Sequence, residues 1–423
     1  MTNRIFGLII ISILLLIIDF YLYKAIGNLN AKWPKKKHRN FTYLWWGYSL
    51  LLISCVFLGI FLNIRLTLRS IILVAFFITF ISKIFFLPFL FIDDLRRGII
   101  WLKRKFFSEK DKLKPFEQDG LLNIPRSEFL LKAGAIAAVI PFASLTYGLV
   151  STAYDYRVKQ RTLYLSNLPK AFEGIKIGQL SDIHSGSFYN RKAVMGGVNM
   201  LLQEKPDVIF FTGDLVNNIA SEMNEYQDIF SKVKAPLGVF SILGNHDYGD
   251  YHFGPEPSVA KAKNLAEVKL THKNMGWDLL LNENRRLKVD GEEIGIIGIE
   301  NWGAGRFAKY GRMDVALQGL EDAPVKLLLS HDPSHWRAQV LTKYPQIDAM
   351  FSGHTHGMQF GVVTDKFQWS PVQYIYEEWA GLYKENNQQL YVNVGYGFLG
   401  YPGRVGILPE ITIFELRKGE PIG

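Results

Sequence analysis

The chain has a single cysteine, Cys55, so no disulfide can form within it and cysteine usage assigns no compartment. It also lacks internal repeats and low-complexity segments, which weighs against a transporter built from repeated halves. Long apolar runs are missing after residue 152 and pile up before it, within a hydrophobic share of 48%. The mean hydropathy of +0.07 is high for a soluble protein. At 423 residues there is room for two or three units.

The formal charge is +9 and the pI is near 9.2. A basic balance suits nucleic acid or an anionic membrane, and the position of the charge decides between them. Here it lies between apolar runs, so a bilayer is expected and nucleic acid is not. Residues 5–23 are almost unbroken Ile, Leu and Phe around one charge, Asp19, long enough to cross a bilayer core. No small-residue cleavage site follows, so a retained span is expected rather than a signal peptide. A loop with Lys24, Lys32, Lys35, Lys36, Lys37 and Arg39 leads to a second span, 43–63, opened by Trp45 and Trp46. The third, 70–92, contains Lys83, and the fourth, 129–150, is rich in Ala, Gly and Ser. Asp19 and Lys83 are read as pairing inside the bundle, or for Lys83 as snorkelling.

Between the last two spans, 93–126 carries Arg96, Arg97, Lys103, Arg104, Lys105, Lys110, Lys112 and Lys114. Its first part, 95–107, mixes these cations with aromatics like a helix lying on an anionic surface. With both basic loops in the cytoplasm, the N-terminus and everything after Ser151 face outward. The expectation is therefore an all-α transmembrane region over 1–151, multi-pass in a bacterial inner membrane, with the large domain on the extracytoplasmic side.

Residues 152–169 read as an entry strand and linker, and 170–423 as one domain. Short, largely β-branched runs recur at 175–180, 208–211, 239–243, 294–299, 326–329, 347–351, 390–394 and 411–416, with helical patterns between them. Continuous rather than alternating apolar runs mark strands covered on both faces, hence an α/β (α+β) sandwich.

Five runs end in polar residues of one kind. They are Ser181-Asp182-Ile183-His184, Gly213-Asp214-Leu215-Val216-Asn217, Gly244-Asn245-His246-Asp247, His331-Asp332-Pro333, and Gly353-His354-Thr355-His356-Gly357. Taken singly, Asp182 and Asp214 suit helix caps, Asn245 a turn, and His331 a core. Five together, beyond the carboxyl ends of strands, make a nitrogen and oxygen ligand set for divalent metals. Ser330 and Asp332 are expected to support ligands from behind, while His252, His272 and His335 have solvated or structural roles.

The ordered blocks resemble the calcineurin-like metallophosphoesterase superfamily over about residues 170–416, and its bacterial membrane-anchored branch in particular. Asn301-Trp302-Gly303 and Tyr401-Pro402-Gly403-Arg404 fit that branch, whereas Met358 stands where many relatives have a second glycine. Pro125-Arg126-Ser127-Glu128-Phe129-Leu130 is similar to a twin-arginine export signal without the second arginine. The resemblance implies a four-layer β-sandwich flanked by helices and a two-metal site for Mn, Fe or Zn. Asp182, His184 and His356 would hold one ion, Asn245, His331 and His354 the other, and Asp214 would bridge them. It implies hydrolysis of phosphomono- or phosphodiesters by metal-activated hydroxide, with His246 as general acid or transition-state stabiliser and Asp247 orienting its ring.

Residues 358–401 are dense in aromatics, including Phe360, Phe367, Trp369, Tyr374 and Tyr376. Most are expected in the core, and a few to line a lipid-accepting wall or to dip into the bilayer surface. Arg404 and Asn393 are expected to reach the phosphate. The anchor and aromatics suggest a substrate at the membrane face, such as a phospholipid head group or lipid-linked pyrophosphate. The competing reading is a non-catalytic sensor or scaffold on the same fold.

Overall fold

Aliphatic and aromatic runs carry no side chains that compete for backbone hydrogen bonds, so the first part of the chain is helical. The computed structural model describes residues 2–29, 33–62, 66–107, 127–305, 307–364 and 367–419. The chain divides into two units, 1–147 and 148–423.

The N-terminal unit contains α1 (Thr2–Leu29), α2 (Lys35–Phe61), α3 (Leu66–Phe107) and α4 (Glu128–Tyr147). Four helices are long and apolar enough to cross a membrane. The sequence placed a break after Ile92 and a separate surface helix over 95–107. The structure instead runs one helix of 42 residues through that point. At 1.5 Å per residue it is about 63 Å long, roughly twice a bilayer core. Arg96 pairs with Asp93 at 2.9 Å and Arg97 with Asp94 at 3.1 Å, one turn apart, which favours continuing the helix. The basic stretch 108–126, with Lys110, Lys112, Lys114 and the Pro125-Arg126 of the export-like motif, lies outside the described residues.

Asp19 and Lys83 settle each other. Lys83 Nζ lies 2.5 Å from the fully buried Asp19 carboxylate and 3.2 Å from Ser49 Oγ, so one cation ties α3 to α1 and α2.

The C-terminal unit opens with a helical turn, Gly148–Thr152. Its strands are β1 (Arg157–Leu165), β2 (Lys176–Leu180), β3 (Val208–Phe211), β4 (Val239–Ser241), β5 (Asp278–Leu279), β6 (Glu283–Val289), β7 (Glu292–Gly298), β8 (Lys326–Leu329), β9 (Ala349–Ser352), β10 (Val362–Val363), β11 (Gln368–Trp369), β12 (Gly381–Glu385), β13 (Gln388–Val392) and β14 (Glu410–Lys418). Within 152–169 the expected entry strand is β1, which pairs in parallel with β14 along its whole length.

One sheet has the order β1-β14-β2-β3-β4-β5 and the other β12-β13-β9-β8-β7-β6. Phe210, Leu327, Phe351, Tyr391 and Phe414 fill the space between them. The outer face of the first sheet is covered by α5 (Arg191–Gln203) and the helix Val259–Met275 through Val194, Val198, Leu201 and Val268. Trp336, Val340 and Leu320 cover the second. The result is four layers, and β2, β3 and β4 run parallel, as do β13, β9, β8 and β7.

Two predictions follow from buried charge. Lys83→Leu strands the Asp19 carboxylate and should destabilise the helical unit by about 3 kcal/mol. The Asp19→Asn, Lys83→Leu double variant should recover most of that loss in thermal melts of detergent-solubilised protein. His272 is fully buried against Ser241 Oγ at 3.0 Å, and burial lowers its pKa from 6.5 to about 3. The fold holds the ring neutral while the unfolded chain takes a proton. The His272 contribution is therefore complete above pH 6.5 and lost as pH falls toward 3, by up to roughly 1.4 kcal/mol per unit. The midpoint of His272→Gln should fall less steeply with acid than that of the parent.

Candidate metal centre

Each expected ligand sits just past the carboxyl end of a strand: Asp182 and His184 after β2, Asp214 after β3, Asn245 after β4, His331 after β8, His354 and His356 after β9. Asp182 (φ 52°), His184 (48°), Asp214 (59°), His354 (71°) and His356 (51°) all adopt left-handed backbone. That conformation costs an L-residue about 1–2 kcal/mol and persists only where the surroundings impose it.

The surroundings are hydrogen bonds between the loops. Asp247 accepts the backbone amides of Asp214 at 3.0 Å, Leu215 at 2.9 Å, Val216 at 3.2 Å and Gly244 at 2.9 Å. Asp214 Oδ1 accepts the amide of His246 at 2.9 Å, and Asp182 accepts that of His354 at 3.0 Å. Each carboxylate thus holds the next loop in place. Glycine is required at two of these approaches: a Cβ on Gly244 would collide with the Asp214 carboxylate, and one on Gly353 with Ser181 and Asp182.

The donors converge in two groups. One atom each from Asp182, His184 and His356 lies within 4.8 Å of the others, and the same holds for Asp214, His331 and His354. Asp214 Oδ2 joins the groups, 3.5 Å from His184 Nε2 and 3.2 Å from His331 Nε2. Two imidazoles are oriented from behind. His331 Nδ1 donates to the Thr212 carbonyl at 2.7 Å, which leaves Nε2 for the pocket, and His354 Nε2 meets Tyr376 Oη at 2.7 Å, which leaves Nδ1. Asn245 Nδ2 donates to Tyr251 Oη at 3.1 Å.

Several atoms of this set are buried and without a protein hydrogen-bond partner: both ring nitrogens of His184, His356 Nε2 and Asn245 Oδ1. A buried polar atom left alone costs about 1–3 kcal/mol, so their concentration at one point calls for a shared partner. Oxygen and imidazole nitrogen without thiolate suit a divalent cation, and the residues fit one.

Charge supports the same fit. Burial lowers the pKa of His184 to about 3 and also depresses that of His354, which keeps both neutral, as ligands must be. Burial opposes ionisation of Asp182 and Asp214, yet His356 beside the first and His331 beside the second hold both well below the usual carboxylate range. Burial alone would lower His331, but the Asp214 charge overcomes it and the pKa rises to about 10. With protein groups alone, a proton on His331 balances Asp214. A cation there competes with that proton.

His246 packs edge-on to His184, with ring centroids 4.9 Å apart, and its Nδ1 meets the Asn217 carbonyl at 2.7 Å. The sequence assigned the orientation of this ring to Asp247. The structure corrects that, because all of the Asp247 hydrogen bonds go to backbone amides and Asn217 holds the ring. Burial and the Asp214 charge push Asp247 up to about 7, against the amides it accepts.

Arg404 and Asn393 require a second correction. Both are fully buried. The Arg404 guanidinium donates to the carbonyls of Val394 at 2.8 Å and Gly397 at 3.0 Å, and lies 3.3 Å from His356 Nδ1. Asn393 spends its side chain on Thr412 Oγ1 and the Gly395 amide. They brace the wall behind His356 instead of reaching outward. Asp332 Oδ2 lies 3.6 Å from His354 Nε2, as a supporting residue should, while Ser330 bonds His335. His252 is exposed and His272 and His335 are buried away from the ligands.

Tyr251 and Tyr376 were missed. Tyr251 packs tilted against His246, with ring centroids 4.5 Å apart, and remains 49% exposed, and Tyr376 was singled out only as one of the aromatics of 358–401, expected either in the core or along a wall beside the metals. The available signal for Tyr251 was its place six residues after Asn245.

After His356 the backbone stays left-handed through Gly357 (53°), Met358 (53°) and Gln359 (55°). The Gln359 amide donates to the carbonyls of Tyr401 at 2.7 Å and Gly403 at 3.0 Å and accepts the Leu399 amide at 2.6 Å, which holds this turn.

Comparison with known proteins gives the same answer. Residues 3–153 match a family described as a probable calcineurin-like phosphoesterase transmembrane domain, and residues 175–358 match calcineurin-like phosphoesterase. An uncharacterized metallophosphoesterase of Bacillus subtilis (strain 168), YkuE, is 30% identical over 295 residues, 67% of this chain and 94% of its own. A transmembrane protein with metallophosphoesterase domain from Danio rerio is 30% identical over 292 residues, 67% of this chain and 62% of that protein. An uncharacterized metallophosphoesterase of Helicobacter pylori (strain J99 / ATCC 700824) is 27% identical over 314 residues, 73% and 74% of the two chains. Four helices long and apolar enough to cross a membrane, followed by a candidate metal-ligand cluster on a two-sheet sandwich, thus have one meaning: the chain belongs to the calcineurin-like metallophosphoesterase family, as a membrane-associated, metal-dependent phosphoric ester hydrolase.

Proposed function

We propose that the chain hydrolyses phosphomono- or phosphodiesters with two divalent cations, Mn, Fe or Zn, on a substrate presented at the membrane face. Asp182, His184 and His356 would hold one cation, and Asn245, His331 and His354 the other, with Asp214 shared. The observation that carries this is Asp214 Oδ2, one oxygen within 3.5 Å of a histidine of the first group and 3.2 Å of one of the second. Such cations supply Lewis acidity, polarising a phosphoryl oxygen and neutralising charge as it develops.

The protein groups do the rest. Neutral His184 and His354 keep their lone pairs for coordination. His246, with Nδ1–H committed to Asn217, has Nε2 as its remaining nitrogen for handing a proton to the leaving oxygen. Tyr251 packs against that ring and fixes the Asn245 amide, steadying two parts of the pocket from one side. A complete donor set weighs against the sensor or scaffold reading.

The membrane anchor and the exposed aromatics beyond His356 support a lipid-linked phosphoester or pyrophosphate as substrate. The basic stretches beside the spans support an inner-membrane location in a bacterium with this domain on the extracytoplasmic side.

Purified full-length protein in lipid nanodiscs tests the reading. Asp214→Asn should lower the metal bound per chain, measured by elemental analysis, and cut phosphoesterase activity at least ~100-fold. His246→Ala should keep the metal and lose about 10²–10⁴-fold with an alkyl leaving group, but far less with p-nitrophenol, which leaves without a proton. Equal losses with both leaving groups would remove the acid role. Equal turnover of vesicle-borne and water-soluble diesters would count against the lipid-linked substrate.

A further inference from the structure

The stretch 358–375, just past the last ligand, turns large apolar side chains outward. Met358 is 48% exposed, Phe360 36%, Val362 48%, Val363 41%, Phe367 59%, Tyr374 78% and Ile375 69%. Within it β10 and β11 form a two-stranded hairpin that joins neither large sheet. A stable fold gains nothing by leaving these groups in water, and a run of this kind marks an interaction surface.

The hydrogen bonds at its root identify the partner. Gly361 donates to the Val405 carbonyl at 2.9 Å, Val405 donates to the Gln359 carbonyl at 2.7 Å, and the Gln359 side chain reaches Tyr401 and Gly403. The same segment, 401–405, receives the turn Gly148–Thr152, where the fourth apolar helix ends. Arg404 donates its amide to the Gly148 carbonyl at 3.3 Å, and Thr152 Oγ1 donates to the Arg404 carbonyl. Tyr189, 53% exposed, donates to the Leu149 carbonyl at 3.2 Å, an aromatic with a polar tip at the point of exit. One segment therefore grips both the root of the apolar hairpin and the turn Gly148–Thr152 that follows α4 in the chain.

We propose that the 358–375 stretch inserts its exposed Phe, Val, Tyr and Ile side chains into the head-group region of the bilayer, as a shallow membrane contact of the C-terminal unit. A lipid surface is favoured over a protein partner because the span exit, which must lie at that surface, shares its support. The stretch begins two residues after His356 and ends one before Tyr376, which bonds His354. Seating it in lipid therefore holds the mouth of the pocket at the membrane. The proposal does not depend on which ester is cleaved.

The test uses the full chain with Cys55→Ser, one chain per nanodisc of phosphatidylcholine and phosphatidylglycerol. Single cysteines introduced as Val363→Cys or Phe367→Cys carry an environment-sensitive fluorophore. Lys384→Cys is the control, since its strand partner Gln389 pairs with Ala349 at the opposite, amino-terminal end of β9. Lipids bearing a nitroxide near the head group should quench the Val363 and Phe367 labels and leave the Lys384 label bright. Quenching no greater than the control overturns the proposal. So does a blue-shifted but unquenched label, which would mean that protein, such as a second copy in a larger disc, covers the hairpin.

Discussion

Two carboxylates, Asp182 and Asp214, are buried in one pocket, and the C-terminal unit is arranged around keeping them charged. Among the described residues neither forms an ion pair with lysine or arginine. Imidazoles face the inner oxygens, and backbone amides of neighbouring loops take the remainder. The same bonds that stabilise the charges fix where His246 and His354 begin, so electrostatics and loop geometry are one problem with one solution. Each carboxylate also holds a loop, and that hold lets strained backbone persist at five candidate ligand positions.

The candidate ligands were legible because they obey a local rule. A buried strand ends, and the first polar residues past it are Asp, His or Asn. Five repetitions of that rule specify a point in space even without knowing the strand order. The fold class followed from the same runs, since Val208–Phe211 and Lys326–Leu329 are buried on both faces. Strands at the margins were harder to see. β6 and β12 are antiparallel edges with exposed or half-exposed side chains such as Arg285, Arg286 and Lys384, a pattern that protects sheet edges and resembles a loop in sequence. α3 was cut short because charges at residues 93–97 look like an interface, whereas their pairing along one helix face is invisible until the helix is built.

Direction was the other thing the sequence withheld. Arg404 and Asn393 follow the last histidine block in the chain, and polar residues there look available for a phosphate. Whether a side chain turns toward the pocket or into the wall depends on backbone carbonyls of Val394, Gly395 and Gly397, which carry no sequence signal. Asp247 misled in the same way. It adjoins His246, but three of its four amide partners come from a loop more than thirty residues earlier. Tyr251 and Tyr376 show the converse, since aromatics usually belong to cores and only contact geometry separates these two from the rest.

The turn from His356 to Gln359 coils with the opposite hand to an ordinary helix, and it includes a methionine where glycine would be relaxed. Such a turn has little intrinsic tendency to form and is kept by the grip of one glutamine on a distant segment. The placement of the final imidazole is therefore borrowed from residues 399–405, which also receive the chain as it leaves the fourth helix. A shift of residues 399–405 would therefore reach the pocket directly, through the hydrogen bonds of Gln359.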